Sequence, residues 1–304
     1  MLYLLLTVAC SVLLGFIFKL FGRFGVDGFQ AIVFNYFTCF CCGWLHLGHF
    51  PVRAEDFASP WMPYALGLGL VFITGFNAAA LTVRHFGVTI GQVMQKMSIL
   101  MTVPFAILAY QESAGGAKIL GFLLALASIV LVNWPSKKSV GVASSRPDTP
   151  VADTPVASSR SHTFKLWIPI ATWVLAGLLE VLLVRVQNEG LTDMADPTFI
   201  ITIFGTAGIL GLVAALFGWA SGRLLFAWKN VAAGILLGIP NYGSMLFMLL
   251  ALGSGLEGSF VFPVANVGII VATTIGAVTL FRERLSRTNW VGIALAVTAI
   301  GLMV

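Results

Sequence analysis

Apolar residues run along this chain in long blocks, broken by short polar stretches. Largely apolar blocks of 16 to 24 positions fall at 2–20, 29–48, 62–83, 88–110, 117–134, 166–184, 198–218, 229–252, 258–280 and 289–304. Each is long enough for a helix to cross the hydrocarbon core of a bilayer. The pattern therefore predicts ten transmembrane helices, numbered here as blocks 1 to 10, with little chain outside the membrane. Trp44, Trp61, Trp134, Trp167, Trp219, Trp228 and Trp290 lie near block ends, where an indole buries its ring and keeps its N–H wet. Trp173 lies inside block 6, which predicts packing against a neighbouring helix.

The one long hydrophilic stretch runs from Pro135 to Thr163. Val-Ala-Ser-Ser-Arg occurs in it twice, at 142–146 and 156–160, and Asp-Thr-Pro-Val-Ala is repeated in tandem at 148–157. Repeated Ser, Pro, Asp and small residues cannot bury a core, so a flexible linker is expected over 135–163. The pattern around it repeats as well. Shifting the chain by 171 residues aligns 62–133 with 233–304 without a gap and gives 16 identities in 72 pairs. Roughly 6 would be expected from so Leu-, Ala- and Gly-rich a composition. The matches include Gly67/Gly238, Gly87/Gly258, Thr102/Thr273, Glu112/Glu283 and Gly121/Gly292. Two copies with an odd number of spans sit in a bilayer with opposite orientation. The expected fold is thus an all-α integral membrane protein with ten transmembrane helices in two inverted five-helix repeats, residues 1–134 and 164–304.

Composition agrees with this pattern. The chain is 59% hydrophobic and 10% charged, which excludes a soluble domain. The net charge of +5 requires no nucleic-acid partner, because the cations sit at helix ends facing lipid and cytoplasm. Thirteen Lys and Arg lie in the loops after blocks 1, 3, 5, 7 and 9; three, Arg53, Lys118 and Arg185, lie in those after blocks 2, 4, 6 and 8. This bias places the first set in the cytoplasm and both termini outside. Block 1 lacks a basic n-region and continues past Cys10 to Leu20, so it reads as a retained helix. Cys10, Cys39, Cys41 and Cys42 have no disulfide or zinc spacing and read as small packing residues.

Polar side chains inside a membrane are costly, and they mark pathways. Block 4 carries Gln92, Gln95, Lys96 and Thr102; block 9 carries Asn266, the counterpart of Gln95, and Thr273. Block 3 adds Thr74 and Asn77, and block 8 adds Asn241 and Tyr242. Lys96 stands about 4.5 Å from the middle of its block, and its counterpart in the second half is Val267. A cation there suits a substrate carboxylate or phosphate, or a structural ion pair. Glu180, five residues before Arg185, reads as an interfacial carboxylate, or else as a partner for Lys96 or a proton-coupling group. Asn35 and Tyr36 in block 2 are expected to bond a neighbouring helix. Pro240, within Gly238-Ile239-Pro240-Asn241-Tyr242-Gly243, predicts a kink with Asn241 at its inner bend, and Pro104 and Pro263 predict similar bends. Gly234 and Gly238, and the stripe Gly205, Gly208, Gly211, predict close helix packing. No metal-ligand spacing, nucleophile constellation or phosphate-binding glycine loop is present, so neither an enzyme nor a cofactor is expected.

Leu280-Phe281-Arg282-Glu283-Arg284-Leu285, the step to Gly292 and the apolar run Ile293 to Val304 resemble the end of an EamA-type repeat. Ala109-Tyr110-Gln111-Glu112, followed by Gly121 and the run to Val132, has the same layout. The resemblance is to the ten-helix branch of the drug/metabolite transporter superfamily. It implies a secondary carrier of small metabolites with both termini in the cytoplasm, against the charge bias. The expected function is alternating-access transport, secondary active or facilitative, of a small polar or amphipathic metabolite bearing a carboxylate or phosphate. The expected partners are that small-molecule substrate, the lipid bilayer and a coupling proton; the expected location is a bacterial cytoplasmic membrane. The site is expected where blocks 3 and 4 face blocks 8 and 9. A non-transporting sensor or assembly factor on the same scaffold is the alternative.

Overall fold

The computed structural model of the chain describes residues 1–86, 88–134, 167–281 and 286–303. The stretch read as a linker and the Arg282-Glu283-Arg284-Leu285 motif lie outside the described residues. Those described form helices α1 (Leu2–Phe24), α2 (Gly28–Leu47), α3 (Met62–Phe86), α4 (Val88–Lys96), α5 (Ile99–Tyr110) and α6 (Gly116–Val132). After the second gap come α7 (Trp167–Asn188), α8 (Pro197–Ala220), α9 (Trp228–Gly253), α10 (Gly258–Phe281) and α11 (Arg287–Met303). Among the described residues, eight segments are long and apolar enough to cross a membrane: α1, α2, Met62–Val83, Ile90–Tyr110, α7, α8, α9 and Gly258–Gly276. The described residues are therefore all-helical, with the character of a multi-pass membrane protein. Helices α6 and α11, of 17 residues each, reach about 26 Å, at the lower limit for a span.

The helix starts follow local chemistry. Asp27 and Asp196 cap α2 and α8 by accepting the backbone N–H of Gln30 and Thr198, and Pro197 fills the first helical position of α8. Gly25 and Gly48 end α1 and α2 in the left-handed conformation, at φ 58° and 75°, which glycine adopts at little cost.

Block 4 departs from expectation. Its helix is interrupted at Met97 and Ser98, where i to i−3 bonds replace the α-helical ladder: Ser98 N–H to Gln95 O (3.3 Å), Leu100 N–H to Met97 O (3.0 Å) and Met101 N–H to Ser98 O (2.8 Å). The Trp173 indole of α7 donates to the Met97 carbonyl at 2.9 Å. Helices α5, α9 and α10 run on through Pro104, Pro240 and Pro263.

Helix packing joins early to late elements. Helix α9 lies against α1 and α2, α8 against α2 and α3, α3 against α7, and α6 against α11. The α9–α2 approach depends on the expected small residues. A methyl on Gly234 would stand 2.7 Å from the Ala31 carbonyl oxygen, and one on Gly238 would stand 2.8 Å from that of Asn35. Gly121 and Gly292 serve α6 and α11 in the same way, with added methyls 2.9 Å from Ala299 O and 2.6 Å from Val132 N. At the middle of the fold, buried Tyr36 packs among Phe72, Phe76 and Phe204, and its hydroxyl donates to the Phe72 carbonyl at 3.3 Å.

Candidate functional site

Lys96 is the last residue of α4, and Ser98 precedes the first turn of α5. The interruption between them therefore places a cation at one helix end and two hydroxyls at the next helix start. Lys96 Nζ donates to Asn266 Oδ1 at 3.0 Å, and Asn266 Nδ2 donates to Glu180 Oε1 at 3.1 Å. Ser98 Oγ donates to the same carboxylate oxygen at 2.8 Å, and Thr102 Oγ1 donates to Oε2 at 2.6 Å. Helices α4, α5, α7 and α10 thus converge on one acid, one base and one amide. The cation at a helix C-terminus and the carboxylate at a helix N-terminus both match the helix dipoles.

Burial makes this arrangement demanding. Ser98 and Thr102 are fully enclosed, Glu180 is 9% exposed and Lys96 is half-buried. An ionised group in such surroundings is expensive unless donors and acceptors complement it. Three donors on one carboxylate, with Lys96 held beyond the amide, meet that requirement. The orientation of Asn266 follows from the same logic, since only its oxygen can accept from an ammonium.

The position of Glu180 corrects its interfacial reading. Helix α7 continues to Asn188, eight residues further, so the carboxylate lies about 12 Å from the helix end. Other candidates go elsewhere. Gln95, one residue around the helix from Lys96, lines a cavity of about 80 Å³ with Phe72, Gly75 and Thr172, so it does not pair with Asn266. Gln92 is exposed one turn before Lys96. On α3, Thr74 and Asn77 bond their own helix, at Leu70 O (2.7 Å) and Ile73 O (2.6 Å). Thr273, counterpart of buried Thr102, is half-buried.

Asn241 and Tyr242 form a separate cluster with α2, which corrects the expectation that block 8 faces block 4. Asn241 Nδ2 donates to Asn35 Oδ1 at 3.1 Å, and the Tyr242 hydroxyl lies 2.8 Å from His46 Nδ1. Cys39 also faces this contact, with its Sγ 3.3 Å from Gly238 O. The reason is the register of α9. Asn241 follows Gly238 by three residues, so the face that approaches α2 closely also carries Asn241 there.

The comparisons with known proteins bear on the fold. An uncharacterized protein of Haemophilus influenzae is 24% identical over 98% of this chain and 95% of its own length. A solved crystal structure, 14% identical, superposes on 99% of this chain and 94% of its own with a TM-score of 0.69. That likeness extends to the fold alone. No protein-family model matches the chain.

A second polar cluster joins the end of α5 to the start of α10. Glu112 is buried and accepts the backbone N–H groups of Gly258 (3.1 Å) and Ser259 (2.8 Å), the Ser259 hydroxyl, and Asn188 Nδ2 at 3.5 Å. Glu257 answers from the other side. It accepts the Ser113 N–H at 3.1 Å and the Ser113 hydroxyl at 2.6 Å, and pairs with Lys118 of α6. Partial burial alone would raise the Glu257 carboxyl, but the donors from Lys118 and Ser113 outweigh it and hold the group down at about 2.

Sequence reasoning singled out Lys96, Asn266 and Glu180 but missed Ser98 and the task of Trp173. The signal for the interruption is weak, because Met97 and Ser98 carry neither proline nor glycine. Ser98 was open to notice as a hydroxyl two residues from the costliest side chain in block 4.

Proposed function

We propose that this chain is a secondary transporter in which Lys96 receives an anionic group of a small polar metabolite near the middle of the membrane. The observation that carries the reading is the convergence of Lys96, Asn266 and Glu180 at an interrupted helix. Polar groups there have no structural use that an apolar core could not fill at lower cost. Interrupted helices with charged ends are how membrane carriers build central sites.

In this reading the ten apolar segments are two inverted five-helix repeats of EamA type, and the interleaved packing supports it. Under the 171-residue shift, α2 on α9 corresponds to α8 on α3, and α1 on α9 corresponds to α7 on α3. Gly121 and Gly292 are counterparts within a single interface. Rocking of one repeat against the other opens the site to each side in turn. The Glu112 and Glu257 contacts would then close the end where α5 meets α10. The membrane is proposed to be the bacterial cytoplasmic membrane, and no cofactor or catalytic step is involved.

The substrate contacts start from Lys96. An incoming carboxylate or phosphate displaces the Asn266 oxygen from the ammonium and gains a charge-assisted bond. Gln92, one turn before Lys96 on the same short helix, is the proposed contact for the remainder. Uptake into proteoliposomes of a panel of carboxylated and phosphorylated metabolites tests the reading. Saturable uptake of at least one, lost in Lys96→Ala, is expected; no uptake of any member would overturn it.

A further inference from the structure

We propose that the site accepts its anion only together with a proton, one for one, and that the proton is carried on Glu180 Oε2. This inference rests on the anion-binding reading of Lys96 above.

The first ground is charge. Lys96 and Glu180 are the base and acid of one enclosed network, joined through Asn266. The other ionisable side chains described on α3, α5 and α7 lie towards helix ends. Tyr64 of α3 sits beneath Arg185, Tyr110 of α5 donates to Glu189, and exposed His85 bonds Leu81 O. Among the described side chains of α4 and α10, Lys96 is the one ionisable group. With both groups ionised the site is neutral, and an arriving monoanion would leave an uncompensated negative charge in a low-dielectric interior. Protonating Glu180 restores neutrality.

The second ground is that the network can hold both states without moving a heavy atom. With Glu180 ionised, Thr102 donates to Oε2 at 2.6 Å. The Thr102 oxygen also lies 3.3 Å from the backbone carbonyl of Ser98. When Oε2 carries the proton, Glu180 donates to Thr102, whose hydroxyl turns to that carbonyl. Ser98 Oγ and Asn266 Nδ2 keep donating to Oε1, an acceptor in either state. The proton comes from water on the side to which the site is open, and returns to water when the anion leaves on the other. Thr102 is a positioning residue: it holds the proton's place without touching substrate. Its re-aimed bond ends on Ser98, within the helix interruption that carries Lys96.

The test uses the purified full-length chain in lipid nanodiscs, with lactate and gluconate, which stay monoanions through the neutral range, as probes. Binding is read by thermal shift, proton uptake by an indicator dye in weak buffer, and the Glu180 carboxyl by its infrared C=O stretch. One proton is expected per monoanion bound, so affinity weakens about tenfold per unit rise in pH while the empty site holds Glu180 ionised. The protonated-carboxyl band grows when anion is added and is absent in Glu180→Gln, whose affinity no longer changes with pH. Thr102→Ser keeps the anion-linked band and Thr102→Val loses it; should the Gln variant not fold, this pair and the wild-type titration still decide. Anion binding without proton uptake, or an anion-linked band that persists in Glu180→Gln, overturns the inference but leaves the transport reading intact. No binding of any probe at any pH overturns both.

Discussion

Replacing Glu112 with alanine should loosen the junction between the two halves of the chain more than any other single change at that end. Its carboxylate satisfies two backbone N–H groups that open α10, and these have no partner within their own helix. It also takes a hydroxyl from Ser259 and a side-chain N–H from Asn188. Bonds to a charged acceptor are worth about 1.5 to 3 kcal/mol each, and a buried donor left unsatisfied costs about 1 to 3 kcal/mol. The bonds share one carboxylate, and water can reach part of the vacated site, so they do not add fully. The expected loss is about 3 to 5 kcal/mol for Glu112→Ala and about 1 to 2 kcal/mol for Glu112→Gln, which keeps one acceptor oxygen. Equilibrium unfolding in mixed detergent micelles, followed by circular dichroism, measures both. A Glu112→Ala variant within about 0.5 kcal/mol of wild type, the range of an ordinary surface change, would refute the reasoning.

Three further expectations follow from neighbouring contacts. Glu257 is held at about 2, below its ordinary value, so its contribution is present above the ordinary carboxylate range and is lost as pH falls through about 2; Lys118→Met should move that loss to higher pH, seen as thermal midpoints that begin to fall earlier on acidification. Gly238→Ala places a methyl 2.8 Å from Asn35 O and should cost about 1 to 3 kcal/mol. Its counterpart Gly67→Ala meets nothing within 4 Å and should be neutral or slightly stabilising, so equal effects at the two positions would count against the α2–α9 packing. Trp173→Phe keeps the ring but leaves the Met97 carbonyl without its indole donor, and should cost about 1 to 3 kcal/mol in the same unfolding assay.

The positions of the helices were legible in the sequence because hydrocarbon thickness imposes a length that composition cannot disguise. Each of the ten blocks corresponds to helix, with limits moved by a few residues, most at α1 and α7. The extension of α7 to Asn188 mattered more than its size suggests, since it decides whether Glu180 is interfacial or enclosed. Hydropathy ended that block at Arg185, although an Arg side chain can reach the interface while its backbone stays helical. The partners of polar residues were less legible. Asn241 and Gln95 stand out in the sequence as polar residues within apolar blocks, but which neighbour they face depends on helix rotation. For α9 the rotation was written in Gly234 and Gly238, seven and three residues before Asn241, and their packing role carried an implication for the asparagine. For α4 nothing in Met97 or Ser98 announces the interruption, because the partners that satisfy it, Trp173 and Glu180, are more than seventy residues away.

The affinity of the lipid-reconstituted chain for anionic metabolites, compared between wild type and Lys96→Gln, tests the central claim most directly. The substitution keeps a donor for Asn266 and removes the charge. Losing a charge-assisted bond of about 1.5 to 3 kcal/mol should weaken binding about 10- to 150-fold for carboxylates and phosphates, and leave neutral analogues nearly unchanged. Equal affinity of the two proteins for every anion bound would contradict the assignment of Lys96 as the anion-binding group.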